Sequence, residues 1–124
     1  MDVAKRFSQL SYAQRLKVGA IIVKDDRIVA YGYNGMPSGW DNVCEHEGKT
    51  KPEVLHAESN AIAKLARSPE SGEGASIFIT HSPCIDCAKL IYQSGIATVY
   101  YKNDYRSTQG LDFLKKSNVW IVKV

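Results

Sequence analysis

The sequence predicts an α/β fold, in which helices pack on a mixed β-sheet. Residues 18–23 and 28–33 are apolar and rich in β-branched side chains, and the turn residues Asp25 and Asp26 between them indicate a hairpin. Helix and strand patterns then alternate to the end of the chain, which is typical of parallel strands connected by helices. A chain of 124 residues can bury one core, so we predict a single domain over residues 1–124.

The predicted elements follow one another with one long interruption. Residues 1–12 form a short helix before the hairpin. Residues 34–53 contain Asn-Gly, Pro and Gly signals without periodicity, which predicts a loop, and loops of this length are usually functional or disordered. We favour a functional loop because it leads directly to His56. The later helices are predicted over residues 56–67, 84–94 and 109–117, and the later strands over residues 76–80, 96–101 and 119–122.

The composition is that of an ordinary globular protein. The hydrophobic fraction is 44%, no apolar stretch reaches the length of a membrane span, and the first residues lack the apolar segment of a signal peptide. Three cysteines are an odd number, and two of them have metal-ligand spacing, which predicts a reducing compartment and hence the cytoplasm. The net charge of +3 is scattered, which argues against a stable nucleic-acid complex and is compatible with a small anionic ligand.

Two short motifs contain the residues with the clearest chemistry. His56 is followed two residues later by Glu58, and Pro83 precedes the pair Cys84 and Cys87. One imidazole and two thiols are ligands that zinc prefers, and a catalytic zinc site keeps its fourth position for water. The combination of H-x-E with P-C-x-x-C is an established signature of zinc-dependent nucleobase deaminases. We therefore predict a zinc site made by His56, Cys84 and Cys87.

Glu58 is the predicted catalytic residue. A zinc ion with two thiolates and a neutral imidazole carries no net charge, so it acidifies water less than a site with three histidines, and a nearby base should help. Glu58 could take a proton from that water and pass protons to the ring nitrogen and the leaving ammonia. His56 and Cys84 are predicted to begin their helices, where the helix dipoles lower the pKa of the cysteines.

Simpler interpretations of these motifs stay open. A C-x-x-C pair at the start of a helix also occurs in thioredoxin-like redox proteins. A structural zinc would need a fourth protein ligand, for which Cys44, His46 or His81 is available. Cys44 and His46 could also help to hold a second zinc, although a loop thiol without function is the simpler interpretation. Glu58 could be an ordinary glutamate in the first turn of a helix.

The chain resembles the zinc-dependent cytidine/deoxycytidylate deaminase superfamily, and more narrowly the deoxycytidylate (dCMP) deaminases. The similarity runs through residues 15–20, 32–35, 56–62 and 94–96, and so covers almost the whole chain. It implies a three-layer α/β/α cytidine deaminase-like fold with a mixed five-stranded sheet. It also implies the hydrolysis of dCMP to dUMP and ammonia, which supplies dUMP for thymidylate synthesis. His56 departs from the free-nucleoside cytidine deaminases, which usually have cysteine at this ligand position.

The resemblance also implies roles for residues outside the metal motifs. Asn34 is similar to a residue that bonds the deoxyribose, and Ala57 to one that contacts the base through its backbone. Tyr105 matches a tyrosine near the substrate phosphate. Further candidates for phosphate binding are Arg106, Lys102 and Arg15. Taken singly, Asn34 could belong to a plain Asn-Gly turn, and each charged residue could be a solvated surface residue.

Assembly and regulation are further expectations. The resemblance implies a homohexamer that dCTP activates and dTTP inhibits, and a triphosphate effector could bring Mg2+ with it. The predicted effector site is the loop of Gly35, Met36, Pro37, Ser38 and Gly39. Its glycines allow backbone amides to approach phosphates closely. A surface loop that only turns the chain is the alternative.

Two other classes of function stay open. A zinc deaminase could act instead on dCTP, cytidine, guanine or tRNA adenosine, although the absence of a basic cluster argues against tRNA. The fold could also belong to a non-enzymatic protein that binds zinc or a nucleotide. Glu58 argues against that alternative, because a structural metal has no need of it.

Overall fold

The computed structural model describes all 124 residues, and its regular elements are four helices and seven strands. The helices are α1 (Asp2–Ser8), α2 (Ala57–Ala66), α3 (Ile85–Gln93) and α4 (Gln109–Lys116). The strands are β1 (Gly19–Lys24), β2 (Arg27–Tyr33), β3 (Glu45–His46), β4 (Lys49–Thr50), β5 (Ser76–His81), β6 (Thr98–Asn103) and β7 (Trp120–Lys123). None of the helices has the length and apolar character needed to cross a lipid bilayer.

Five of the strands form one mixed sheet in the order β2-β1-β5-β6-β7. β1 runs antiparallel to both β2 and β5, while β5, β6 and β7 are parallel. The hairpin between β1 and β2 turns at Asp25 and Asp26, which adopt positive φ angles of 52° and 60°, as aspartate tolerates in tight turns. The predicted mixed five-stranded sheet is confirmed.

Helices cover both faces of this sheet. On one face α1 packs so closely on β1 that a Cβ at Gly19 would overlap the carbonyl oxygen of Ala4. On the other face α2 lies against β2, where a Cβ at Gly32 would lie 2.6 Å from the backbone nitrogen of Ala61. One buried cluster joins α2, α3 and α4 to this second face, and its members include Ile22, Ile77, Val99, Ala88, Ile91 and Leu114. The layers are those of the predicted α/β/α fold.

The main differences from the sequence prediction lie in the first half of the chain. The helix predicted over residues 1–12 ends at Ser8, and the loop predicted over residues 34–53 contains the small β3–β4 hairpin. This hairpin turns at Glu47 and Gly48, with φ angles of 53° and 76°. Each of its strands has only two residues, and their side chains are mostly exposed. The sequence therefore has no alternation of apolar residues that would predict these strands. The other helices and strands lie within two residues of the predicted bounds.

The carboxyl ends of β2, β5 and β6 meet at one edge of the sheet. This arrangement follows because β2 and β5 both run antiparallel to β1, and β6 runs parallel to β5. α3 starts at this edge directly after β5, and α2 starts there after the long loop that follows β2. In open α/β sheets, ligands bind outside the carboxyl ends of the strands. This edge holds the candidate site.

Candidate active site

Three potential metal ligands come together at this edge. His56 and Cys84 are the N-cap residues of α2 and α3, and Cys87 lies in the first turn of α3. The Nδ1 of His56 lies 3.5 Å from the Sγ of Cys84 and 3.4 Å from the Sγ of Cys87, and all three atoms lie within 4.8 Å of one another. Tetrahedral Zn–N and Zn–S bonds of about 2.0 and about 2.3 Å would separate nitrogen from sulfur by about 3.5 Å. The three side chains therefore fit a zinc ion in both chemistry and spacing.

No fourth protein ligand joins this group. The cluster of donor atoms contains these three side chains alone, and Cys44, His46 and His81 lie outside it. Cys44 is buried with its thiol 3.7 Å from the carbonyl oxygen of Asn42, and His46 is exposed in β3. Three protein ligands leave one tetrahedral position for water, which distinguishes a catalytic zinc site from a structural one.

Hydrogen bonds among the three donors hold protons where a metal would bind. Hydrogen bonds from Cys87 and His56 to the sulfur of Cys84 lower the pKa of Cys84 to about 4. The hydrogen bond with Cys84, together with burial, raises the pKa of Cys87. The pKa of His56 is also raised, chiefly by its hydrogen bond with Cys84. Zinc would replace these protons, since it binds thiolates and a neutral imidazole.

Glu58 lies beside these ligands in the first turn of α2. Its side chain is only 5% exposed, and burial raises its pKa to about 7, although its own backbone N–H and the charge of His56 act in the opposite direction. A carboxyl group with this pKa can both accept and return a proton near neutral pH, as general acid–base catalysis requires. Glu58 is not a member of the metal-binding cluster. Its position supports the predicted role of a proton carrier that does not bind the metal.

Asn34 follows the carboxyl end of β2, and Ala57 begins α2. The Asn34 side chain accepts a hydrogen bond from the Val18 N–H at 2.8 Å and donates one to the Leu16 carbonyl at 2.7 Å. It therefore holds the loop that precedes β1. Ala57 is fully buried, and its carbonyl oxygen faces Gly32. The contacts of Asn34 with the deoxyribose and of Ala57 with the base stay predictions.

The loop after β6 brings Tyr105 and Arg106 to the same edge. The Tyr105 N–H donates to the Ser82 hydroxyl at 2.7 Å, and the Ser82 N–H donates to the Asn103 carbonyl at 2.9 Å. Because Ser82 is two residues from Cys84, these bonds fasten the loop next to the metal ligands. The Arg106 guanidinium lies 5.7 Å from the centre of the Tyr105 ring, within reach of a cation–π contact.

The other two candidates for phosphate binding lie outside the loop of Tyr105 and Arg106. Arg15 is exposed in the loop before β1, where the Glu45 carboxylate accepts its backbone N–H at 3.2 Å and that of Gln14 at 2.8 Å. Lys102 lies beside Lys5 of α1, and the neighbouring ammonium group of Lys5 lowers the pKa of Lys102. The structure therefore puts Lys102 on the face of the sheet opposite to α2 and α3, away from the metal ligands.

Comparison with known proteins identifies the family of the chain. Residues 1–103 match the family model of the cytidine and deoxycytidylate deaminase zinc-binding region. The chain belongs to this deaminase family. The matched family model is that of a zinc-binding region, and the chain has one histidine and two cysteines clustered as ligands. Zinc is therefore the metal that this cluster holds.

Individual members of the deaminase family are similar over most of the chain. The dCMP deaminase of the cyanophage S-TIM5, solved in complex with dCMP and dUMP, is 52% identical with a TM-score of 0.97, over 99% of this chain and 92% of the other. Human deoxycytidylate deaminase is 40% identical over 113 residues, which cover 84% of this chain and 62% of the human protein. ComE operon protein 2 of Bacillus subtilis is 44% identical over 102 residues, which cover 78% of this chain and 53% of that relative. The chain thus spans about half the length of the Bacillus subtilis protein.

A cavity of about 420 Å³ is lined by all five residues of the predicted effector loop, 35–39. Lys64 of α2 and Arg67, the C-cap residue of α2, contribute to its wall. The Lys64 ammonium lies 3.8 Å from the centre of the Tyr31 ring, which helps to orient this cation. Sequence reasoning missed both cations because they look like ordinary polar residues of an amphipathic helix. The wall of the cavity suits an anionic ligand.

Sequence reasoning missed three residues that support the site. Ser82 and Glu45 act through hydrogen bonds to residues 23 to 31 positions away, which no local pattern reveals. Gly110 lies so close to the Pro83 carbonyl that a Cβ would overlap it, and it thereby lets α4 pack on the segment that carries Cys84. A glycine near the start of a helix was the one available hint of such a close approach.

Proposed function

We propose that this chain hydrolyses dCMP to dUMP and ammonia in a zinc-dependent reaction. The observation that carries the proposal is the similarity, over 99% of this chain, to a dCMP deaminase that was solved with dCMP and dUMP. The cluster of His56, Cys84 and Cys87 beside the buried Glu58 supports the chemistry, because hydrolytic deamination needs both a metal and a proton carrier.

His56, Cys84 and Cys87 would hold the zinc ion. Zinc bound by one imidazole and two thiolates supplies a Lewis acid that lowers the pKa of water. His56 and Cys84 cap α2 and α3, so the positive ends of both helix dipoles lie at the ligands and stabilise the thiolate forms. Among the three ligands, the low pKa of Cys84 already favours the thiolate, and zinc would displace the protons that Cys87 and His56 hold.

Glu58 would move the protons of the reaction. It accepts a proton from the attacking water and delivers protons to the ring nitrogen and to the amino group that leaves. The C–N bond breaks, the oxygen of water stays on the ring as the new carbonyl, and one dCMP with one water gives one dUMP with one ammonia. Burial raises the pKa of Glu58, which favours a carboxyl group that can both take up and release a proton.

We also propose how the nucleotide is held. The backbone at Ala57 would contact the base and Asn34 the deoxyribose. Tyr105 and Arg106 would bind the 5′-phosphate, with Arg15 as a further cation. The hydrogen bond from Tyr105 to Ser82, next to the metal ligands, supports the assignment of the phosphate to this loop.

A panel of substrates tests the proposed activity. Ammonia release is measured with dCMP, deoxycytidine, dCTP, cytidine, guanine and adenosine. We expect dCMP to have the highest kcat/KM and deoxycytidine to fall about 10- to 100-fold below it, because hydrogen bonds to a charged phosphate contribute roughly 1.5–3 kcal/mol. Equal turnover of deoxycytidine and dCMP would contradict phosphate recognition, and turnover of a purine alone would contradict the proposed substrate.

The cavity beside residues 35–39 is the proposed effector site, which would take dCTP or dTTP together with Mg2+ on the triphosphate. Lys64 and Arg67 in its wall support an anionic ligand. Asn34 lines the same cavity and also holds the loop before β1, so an effector that orders residues 35–39 could alter a substrate contact. A free-energy coupling of this kind between two sites is what allosteric regulation requires.

Saturation curves for dCMP, with and without each nucleotide and Mg2+, test this regulation. We expect dCTP to raise and dTTP to lower the rate at low dCMP concentration. Arg67→Gln should weaken both effects, because it removes a cation from the cavity wall. Lys115→Gln, on the distant helix α4, is the matched control and should keep both effects. Curves that neither nucleotide moves would contradict the proposed effector site.

Assembly and compartment are further parts of the proposal. The resemblance to dCMP deaminases favours a homohexamer. All three cysteines are free thiols, which favours a reducing compartment, and we propose the cytoplasm.

A further inference from the structure

His81 is the last residue of β5, at the edge of the sheet where the metal ligands meet. Along β5 it alternates with Ile77 and Ile79, which belong to the core beneath α2 and α3. The His81 side chain therefore leaves the sheet on the face from which His56 and Cys84 approach. It is half-buried and does not belong to the metal-binding cluster.

The hydrogen bonds of Thr80 determine which ring nitrogen of His81 carries the proton. Thr80 is 3% exposed, and its hydroxyl accepts the Gly19 N–H at 3.2 Å and lies 3.0 Å from the Nδ1 of His81. A buried hydroxyl proton needs an acceptor, and Nδ1 is the one within reach. The Nδ1 therefore accepts, and the proton of the neutral ring is on Nε2. Burial lowers the pKa of His81, which keeps the ring neutral.

The Nε2–H of His81 has no partner within the protein. Every fully buried side-chain nitrogen and oxygen of the chain has a hydrogen-bond partner, so the unpartnered Nε2 must reach solvent. The next residue, Ser82, fastens the loop of Tyr105 and Arg106 through its hydroxyl. The free donor thus belongs to the residue that precedes both Ser82, which fastens this loop, and the segment that carries Cys84.

We infer that the Nε2–H of His81 donates a hydrogen bond to an oxygen of the bound nucleotide. The inference rests on the proposed function and adds a residue that contributes to substrate binding. Thr80 is then a positioning residue, because its hydroxyl fixes the ring so that the donor faces outward. The acceptor is either a phosphate oxygen or an oxygen of the base or sugar, and the two are separated by comparing dCMP with deoxycytidine.

His81→Asn and His81→Gln form a matched pair of variants. An asparagine amide overlaps the Nδ1 position and can keep the bond to Thr80, but it has no group at the Nε2 position. A glutamine amide reaches the Nε2 position and can restore the donor. We expect His81→Asn to raise KM for dCMP about five- to ten-fold where the acceptor is a neutral oxygen of the base or sugar, and about 10- to 100-fold where it is a charged phosphate oxygen. The kcat, zinc content and Tm should change little. His81→Gln should recover part of the loss.

The KM values of the variants for dCMP and deoxycytidine show whether His81 binds the nucleotide and through which oxygen. A raised KM for dCMP alone identifies a phosphate oxygen as the acceptor, and a raised KM for both dCMP and deoxycytidine identifies the base or sugar, so either result supports the inference. Wild-type KM values in His81→Asn would overturn it. Equal losses of zinc and Tm in both variants would overturn it as well, because they indicate a purely structural role. Wild-type protein without activity on dCMP would contradict the proposed function, and calorimetry of dUMP binding to the same variants would then still decide the role of His81.

Discussion

At the scale of single residues, the three metal ligands support the most direct prediction. Cys84→Ala removes one of three donors. Mutation of residues that only hydrogen-bond to metal ligands already lowers metal affinity about 10- to 100-fold, so we expect the zinc affinity of this variant to fall by at least about 100-fold. Metal analysis of the purified protein should find about one zinc per chain in the wild type and little in the variant.

Cys44→Ala is the control for this measurement. Cys44 is also a buried thiol, but it lies outside the cluster, so its variant should keep the zinc. Full zinc content in Cys84→Ala, or loss of zinc in Cys44→Ala, would contradict the assignment of the ligands.

The same residues show what sequence can reveal about the site. The three zinc ligands were predictable because zinc accepts few ligand types. In addition, the local sequence pattern shows where α2 and α3 begin, and His56 and Cys84 lie at these two positions. The two hydrogen bonds between the Asn34 side chain and the backbone of Leu16 and Val18 were not predictable, because their partners lie 18 and 16 residues away. A long-range polar contact has no local signature, so the surroundings of the site had to come from the structure.

At the scale of elements, the contact between β2 and α2 sets the position of His56. A Cβ at Gly32 would lie 2.6 Å from the Ala61 nitrogen and would overlap the Ala57 carbonyl oxygen, and backbone atoms cannot move aside independently. We expect Gly32→Ala to lower the free energy of unfolding by about 1–3 kcal/mol, the usual cost of overpacking, and to weaken zinc binding because α2 must shift. Thermal unfolding and zinc titration measure the two effects.

Gly35→Ala provides the stability control for this element. No atom lies within 4 Å of a Cβ at Gly35, so its Tm should stay within the small range of ordinary surface substitutions. If Gly32→Ala and Gly35→Ala unfold at the same temperature, the close packing of β2 on α2 does not hold the site.

Elements with strong patterns were predictable, and weakly patterned ones were not. The strands β1, β5 and β6 contain β-branched apolar residues buried in the sheet, which leaves a clear signal. The β3–β4 hairpin depends on positive φ angles at Glu47 and Gly48, and its exposed strands carry no apolar repeat. Its presence therefore depends on contacts within the loop that the sequence does not display.

At the scale of the whole molecule, the apolar surface of β7 supports the proposed assembly. β7 is an edge strand, and Trp120, Val122 and Val124 at this end of the chain are 75%, 38% and 52% exposed. Contiguous apolar side chains at a surface favour association, because burial removes them from water. Six chains of 13.8 kDa give an expected mass of about 83 kDa in analytical ultracentrifugation. A single species of monomer mass at micromolar concentration would contradict the hexamer.

The most direct test of the proposed reaction compares wild type with Glu58→Gln on dCMP, in preparations with equal measured zinc content. Glutamine keeps the size and polarity of the side chain but cannot carry the proton, so dUMP formation should fall about 100- to 10,000-fold while zinc and Tm are unchanged. Glu53→Gln, in the exposed loop before His56, should keep wild-type turnover. Near-normal dUMP formation by zinc-loaded Glu58→Gln would contradict the account.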